Sequence, residues 1–213
     1  MIREQLAGKH IRGSGCEIGG LHVPTKVLPG AKVTYVDRLP PGEAHPDVQT
    51  RVHDLVVDDA EFLTHFHNDT LDFVIANHVL EHCHDPIGTL KNWCRVLKPG
   101  GIVYCALPDK EQTFDKPRAT TTLLHLIDDH ENGSGRGDII HLSEWHYHID
   151  GLRGQALEDR VKFGLDSRSN IHFHLWDEEG MQLLFNYVGK ELEILEKKRN
   201  GAEIIWVLRK IPA

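Results

Sequence analysis

Apolar residues fall in short runs separated by stretches of helical period, and that alternation organises the chain. Gly15-Cys16-Glu17-Ile18, Lys32-Val33-Thr34-Tyr35-Val36, Arg51 to Val57, Leu71 to Ala76 and Ile102 to Leu107 read as five strands, several of them continuous apolar runs. Between the fourth and fifth lies a clear helix. Asp85 is a good N-cap, Pro86 suits the first helical position, and Ile87, Leu90, Cys94 and Leu97 recur on one face before Lys98-Pro99-Gly100-Gly101 stops it. Strands alternating with helices predict βαβ units and a parallel sheet.

From Asp109 to Trp176 the alternation breaks. The sequence predicts a helix over Thr120 to His130, a glycine-rich loop at 132–137 and an amphipathic piece from Leu152 to Phe163. Order returns where Asp177 can cap a helix through Met181, Leu184 and Val188. Two strands then follow, Leu192 to Leu195 and Ile204 to Leu208, joined across Asn200-Gly201 as an antiparallel hairpin. The fold class predicted is α/β: a Rossmann-like doubly wound sheet, mostly parallel, with an antiparallel C-terminal strand. The chain is expected to form one domain over 1–213, with a His-rich insertion after the fifth strand, residues 109–176.

Composition narrows the functions open to this fold. The 213 residues carry 24 Lys and Arg against 32 Asp and Glu, a formal charge of -8, which argues against affinity built on neutralising phosphates. General nucleic-acid binding is disfavoured. Cys16, Cys83, Cys94 and Cys105 form no CxxC pair and sit among apolar residues, so they read as reduced core residues. No run approaches the ~20 apolar residues of a membrane span, and the N-terminus lacks the apolar core of a signal peptide. The expectation is a soluble, cytoplasmic protein.

Open parallel sheets bind ligands beyond the carboxyl ends of their strands. Glu17-Ile18-Gly19-Gly20, Asp37, Asp59-Ala60-Glu61 and Asn77-His78 all end strands or follow them there. Glycines admit a ligand close to the backbone, and an acid ending the second strand can accept from both ribose hydroxyls. A nucleoside cofactor follows. An NAD fingerprint does not, because Gly13-Ser14-Gly15 leads to Ile18 where a third glycine belongs.

The segments GCEIGGLHVP, YVDRLP, VVDDAEFL, DFVIANHVLEHCHDPIGTLKNWCRVLKPGGIVYCALPDK and TFDKPRATTTLLHLIDDH together resemble the class I S-adenosylmethionine-dependent methyltransferases, in a branch associated with polysaccharide biosynthesis. The resemblance implies a seven-stranded sheet with its last strand antiparallel. It also implies that Glu17, Gly19 and Gly20 line the methionine and ribose part of the cofactor, Asp37 the ribose, Asp59 and Ala60 the adenine, and Asn77 the outlet of the fourth strand. One departure stands out: the usual GxGxG loop is EIGGLHVP, with Leu21, His22 and Pro24 where smaller residues are usual.

The 16 His exceed the seven Phe, four Trp and four Tyr combined, and seven of them fall between 125 and 174. Methyl transfer to oxygen is helped by a base titrating near neutrality, for which histidine is suited. His141 and His174, with His78 and His82 at the strand outlet, are the candidate catalytic residues. Trp145, His172, Asp109, Asp115 and Arg118 are the candidates for binding a small-molecule or carbohydrate acceptor. His78, Glu81 and His82, spaced i, i+3 and i+4, resemble, with His78 in place of the first Glu, the ExxEH element through which ubiquinone-pathway and small-RNA 2′-O-methyltransferases hold a divalent ion, provided that a helix starts at the strand outlet; the plainer reading is that Glu81-His82 borders the cofactor without a metal. Two other readings stay open: a noncatalytic binding subunit of the same fold, and a His-based metal enzyme.

Overall fold

The computed structural model describes residues 2–21, 23–39, 52, 55–133, 139–166 and 171–212. His22, the loop at Pro40-Pro41-Gly42, Arg51 and residues 134–137 of the glycine-rich loop lie outside the described residues. Seven strands make one sheet: β1 (Ser14–Ile18), β2 (Lys32–Asp37), β3 (Leu55–Val57), β4 (Leu71–Asn77), β5 (Leu97–Pro108), β6 (Leu192–Asn200) and β7 (Glu203–Lys210), in the order β3-β2-β1-β4-β5-β7-β6. β1 pairs in parallel with β2 and β4, β2 with β3, and β4 with β5. β7 is antiparallel to both of its neighbours, as the hairpin predicts.

Alternation along the central strands feeds two cores. Phe73, Ile75, Tyr104, Ala106, Ile205 and Val207 pack on one face with Leu6, Ala7 and Ile11 from α1 (Ile2–His10) and just beyond it, a helix the periodicity does not announce. Val74, Ala76, Val103, Cys105 and Trp206 point to the other face. They meet Leu90 and Trp93 of α2 (Pro86–Val96), Leu126 of α3 (Leu123–Asn132) and Phe185 of α6 (Glu178–Tyr187). Full burial of each large side chain contributes ~1.5–3 kcal/mol. All four cysteines are free and buried.

Local capping explains where the helices start. Asp85 accepts from Gly88 N at 2.8 Å with Pro86 following, Asp177 accepts from Gly180 N at 2.8 Å, and Thr122 accepts from His125 N at 3.2 Å. α3 therefore begins at Leu123 and not at Thr120. β5 is longer than the apolar run: Leu97 pairs with Leu71, and an irregularity passes Lys98 to Gly101 before Ile102 pairs with Phe73. The hairpin turn spans Gly201-Ala202, and Gly201 supplies the positive φ of 64° that a tight turn needs.

The insertion leaves and rejoins the sheet at one place, where Asp109 bridges to Trp176 and Lys110 N donates to Trp176 O at 3.0 Å. It holds α3, α4 (Ile139–His148) and α5 (Gly154–Asp166). Its own apolar cluster is small: Leu142, Val161, Ile171 and Phe173. Among the described residues no helix is long and apolar enough to cross a membrane.

Candidate active site

At the carboxyl end of β1 the buried Glu17 accepts from Thr25 N at 2.9 and 3.0 Å and from Thr25 Oγ1 at 2.6 Å, tying the following loop back onto the strand. Asn77 Nδ2, at the end of β4, donates to the same hydroxyl at 2.8 Å. Burial raises the Glu17 carboxyl pKa. Gly19 adopts φ +71°, and a Cβ on Gly20 would sit 2.6 Å from the Glu17 carboxyl carbon. One glycine serves the backbone and the other makes room for the acid.

Asp37 ends β2 with one local contact, Leu39 N at 3.2 Å, leaving acceptor capacity on its carboxylate. Beyond β3, Asp58 accepts from Asp59 N, Thr64 Oγ1 and His65 N, Asp59 accepts from Glu61 N at 2.9 Å, and Ala60 O accepts from Trp93 Nε1 at 2.8 Å. Glu61 accepts from His84 N and Asp85 N, which fixes this turn against the start of α2. Asn77 Oδ1 is buried with no hydrogen-bond partner. An unpartnered acceptor, an open carboxylate and a glycine-lined turn at one sheet edge fit a nucleoside bearing hydroxyls and an amine.

The outlet of β4 differs from the sequence expectation. His78 has φ +55° and only a 3-10 turn, Leu80–His82, follows, so His78, Glu81 and His82 do not share a helical face. His78 Nε2 lies 2.8 Å from Glu203 Oε2, and its Nδ1 lies 3.4 Å from Glu81 Oε1. These carboxylates, Glu203 first, raise its pKa to about 9. An imidazolium held this way is a poor base at neutral pH. Glu203 is itself anchored by Arg3 and by Asn200 Nδ2 at 2.6 Å; although burial opposes ionisation, Arg3, His78 and Asn200 hold it at about 2.

His172 takes the place expected of His78. Ligand atoms of Glu81, His82 and His172 lie within 4.8 Å of one another. His82 Nδ1 is 2.9 Å from Ile171 O, a carbonyl that can only accept, and His172 Nδ1 is 2.6 Å from Asp115 Oδ2. The carbonyl contact places a proton on His82 Nδ1, so the neutral His82 imidazole presents its Nε2 lone pair, and the Asp115 contact orients His172 through its Nδ1. Burial lowers the pKa of His82. Glu81 is wholly buried, and neither carboxylate oxygen has a well-formed hydrogen bond. Burial works against its charge, yet His78, His82 and His172 together lower its pKa.

The acceptor-side candidates separate into internal and open groups. Asp109 accepts from Glu111 N at 3.0 Å and pairs with Arg199 at 2.6 Å, while Asp115 pairs with the buried Arg118 at 2.9 Å. Arg118 also reaches Glu144 at 3.3 Å and lies 5.3 Å from the Trp145 ring centre. These charges hold the insertion together. Trp145 is half-buried; with His172 and the exposed Phe114 it forms an aromatic corner, ring centres 5.2 to 5.7 Å apart. His141 and His174 lie in another cluster, with His125 and Asp129. Thr25, Arg3, Glu203, His125 and Asp129 escape sequence reasoning because most of their partners are distant in the chain.

Residues 14–105 match the family model described as a methyltransferase domain. A ubiquinone biosynthesis O-methyltransferase of Pseudomonas putida (strain GB-1) is 34% identical over 110 residues, 48% of this chain and 45% of that protein. The match thus spans less than half of this curated relative. Among solved structures, a chain in the complex of the Haloferax volcanii Trm112 methyltransferase activator with a methyltransferase superposes with TM-score 0.57 at 16% identity, covering 99% of this chain and 89% of that one. A SAM-dependent methyltransferase from Thermotoga maritima gives 0.52 at 16%, covering 98% and 88%.

The fold is that of the SAM-dependent methyltransferases.

The matched stretch contains β1 to β4, α2 and most of β5, and so every strand end of the candidate cofactor site. It stops before the insertion. These likenesses give the fold and a methyltransferase-domain match over residues 14–105, and do not extend to a polysaccharide-biosynthesis branch.

Proposed function

We propose that the protein transfers a methyl group from S-adenosylmethionine to an oxygen of a small hydroxylated acceptor bound beneath the 109–176 insertion. The observation that carries this reading is the adjacency, around the ends of β1 to β4, of a nucleoside cradle and the partly buried imidazoles of His82 and His172, each held through its Nδ1. Glu17, Gly19 and Gly20 would shape the methionine and ribose part, Asp37 would accept from the ribose, Asp59 and Ala60 would face the adenine, and Asn77 Oδ1 would receive a cofactor donor. In the transfer the acceptor oxygen bonds to the methyl carbon, the carbon–sulfur bond breaks with its electron pair returning to sulfur, and the hydroxyl proton passes to His82 Nε2. Oxygen is favoured over nitrogen because a hydroxyl needs such a base, and the P. putida relative is named as an O-methyltransferase. The corner of Phe114, Trp145 and His172 suits a ring, and a sugar or nucleotide-linked sugar is the narrower form of the proposal.

Alternatively, the Glu81, His82 and His172 donor set fits a divalent ion, in preference Zn²⁺, Fe²⁺, Co²⁺ or Mn²⁺ over Mg²⁺, and His82 Nε2 would then be a ligand in place of the base. Such an ion, when bound, would polarise the acceptor oxygen. Calorimetry with S-adenosylhomocysteine tests the cofactor reading; no heat of binding from folded protein overturns it. His82→Gln should keep that binding while transfer to a panel of catechols and sugars falls roughly 10²–10⁴-fold. Undiminished transfer removes His82 as the base.

A further inference from the structure

Three elements of the insertion bring together a second group of ligating side chains that the transfer reaction leaves unused. His125 and Asp129 stand one turn apart on α3, His141 lies on α4, and His174 lies on the segment returning to the sheet. His125 Nε2 is 3.1 Å from His141 Nε2 and 3.1 Å from Asp129 Oδ2, and His174 Nε2 is 3.6 Å from Asp129 Oδ2. Four donors around one tetrahedral ion, with bonds of about 2.0–2.1 Å, stand about 3.3 Å from one another. These three separations bracket that edge, and the ligand atoms of all four residues lie within 4.8 Å of one another.

His174 is wholly buried; its Nδ1 has no hydrogen-bond partner, and the contact of its Nε2 with His84 O at 3.1 Å is one that ligation through Nε2 would replace. His141 and Asp129 are buried too, and His125 is about one-third exposed, an approach for an ion from solvent.

We propose that His125, Asp129, His141 and His174 bind one zinc-class divalent cation as a four-ligand structural centre. Four protein ligands close a tetrahedron, so the ion has no open position for substrate. Its work is to fasten α3 and α4 to the 171–176 segment, where the insertion's own apolar cluster is small. That segment carries His172, two residues from His174, so the ion would also steady the acceptor side. This proposal stands independently of the transfer reaction.

Metal analysis of tag-free protein dialysed against limited Zn²⁺, together with visible absorption of the Co²⁺-loaded protein, tests it directly. The expected result is about one tightly held Zn²⁺ per chain, an intense tetrahedral Co²⁺ band, and a lower melting temperature after chelation. His141→Gln and, as a more exposed alternative should that variant misfold, His125→Gln should weaken Zn²⁺ binding at least about tenfold and abolish the band. Glu81→Gln, which alters the separate Glu81, His82 and His172 set, should leave this tightly held zinc and the tetrahedral band unchanged and remove at most a second ion. Absence of zinc and of the band from folded wild-type protein overturns the proposal, as does a tetrahedral centre that survives His125→Gln and disappears with Glu81→Gln.

Discussion

The acids of the cofactor edge and those of the insertion are held in different ways. Glu17 and Glu61 receive neutral donors, chiefly backbone N–H groups of nearby loops, and burial raises both of their pKa values. Asp58, less buried and served by more donors, is lowered. In the insertion Asp115 is served by side chains, Arg118 and His172; burial opposes its charge, yet these partners win and lower its pKa. Glu203, where the hairpin meets α1, belongs to the second kind. Backbone donors shape a loop for a ligand. Ion pairs join elements that have little apolar surface to share.

The sharpest way to break this comparison is to remove a cation from one side and charge alone from the other. Arg118→Met leaves Asp115 buried without its guanidinium and should cost about 3–5 kcal/mol, read from denaturant unfolding. Glu61→Gln keeps an acceptor for one of the two backbone donors and removes a charge that burial disfavours, so it should cost only about 1 kcal/mol. Equal losses would show that the two regions are stabilised alike.

The same contrast explains what could be read in the sequence. β4 was legible because a strand buried on both faces needs an apolar run such as Phe73 to Ala76, and α2 because Asp85-Pro86 states its start locally. Asp37 and Asp59 could be placed because strand ends in this topology converge. The position of His172 could not: it meets Glu81 and His82 about ninety residues away, through a bend in the chain with no period. His78 misled for a local reason, since i, i+3, i+4 spacing denotes a shared face only in a helix and its φ of +55° prevents one. His125 and Asp129 do lie on a helix, but their spacing does not reveal that His141 and His174 close over them.

Acid titration sharpens the comparison at the hairpin. Glu203 is held at about 2, below the carboxyl's ordinary value near ~4.3, so its contribution is fully present above that ordinary value and fades as pH falls towards 2. Glu203→Gln should therefore lose roughly 2–3 kcal/mol at pH 7 and little near pH 2. Melting curves across that range check the sign, and a deficit that does not change with pH would assign its effect to packing. Glu17 and Glu61 have the opposite sign: with raised pKa values, their charged forms weigh against folding at neutral pH, and protonation relieves that cost.

The smallest effect should fall on a group that stability hardly registers. Asp37 makes one local hydrogen bond, is not fully buried, and is assigned to the ribose only by its place at the end of β2 and its open carboxylate. Asp37→Ala should weaken S-adenosylhomocysteine binding about tenfold, which corresponds to ~1.4 kcal/mol, while the melting temperature stays within a degree or two of wild type. Asp58→Ala, which removes three donors' partner from the neighbouring turn, should show the reverse balance: a measurable loss of stability and a smaller loss of affinity. If affinity follows Asp58 and ignores Asp37, the ribose sits deeper along the sheet edge than β2, and the division between acids that hold loops and acids that meet ligand has to be redrawn at this turn.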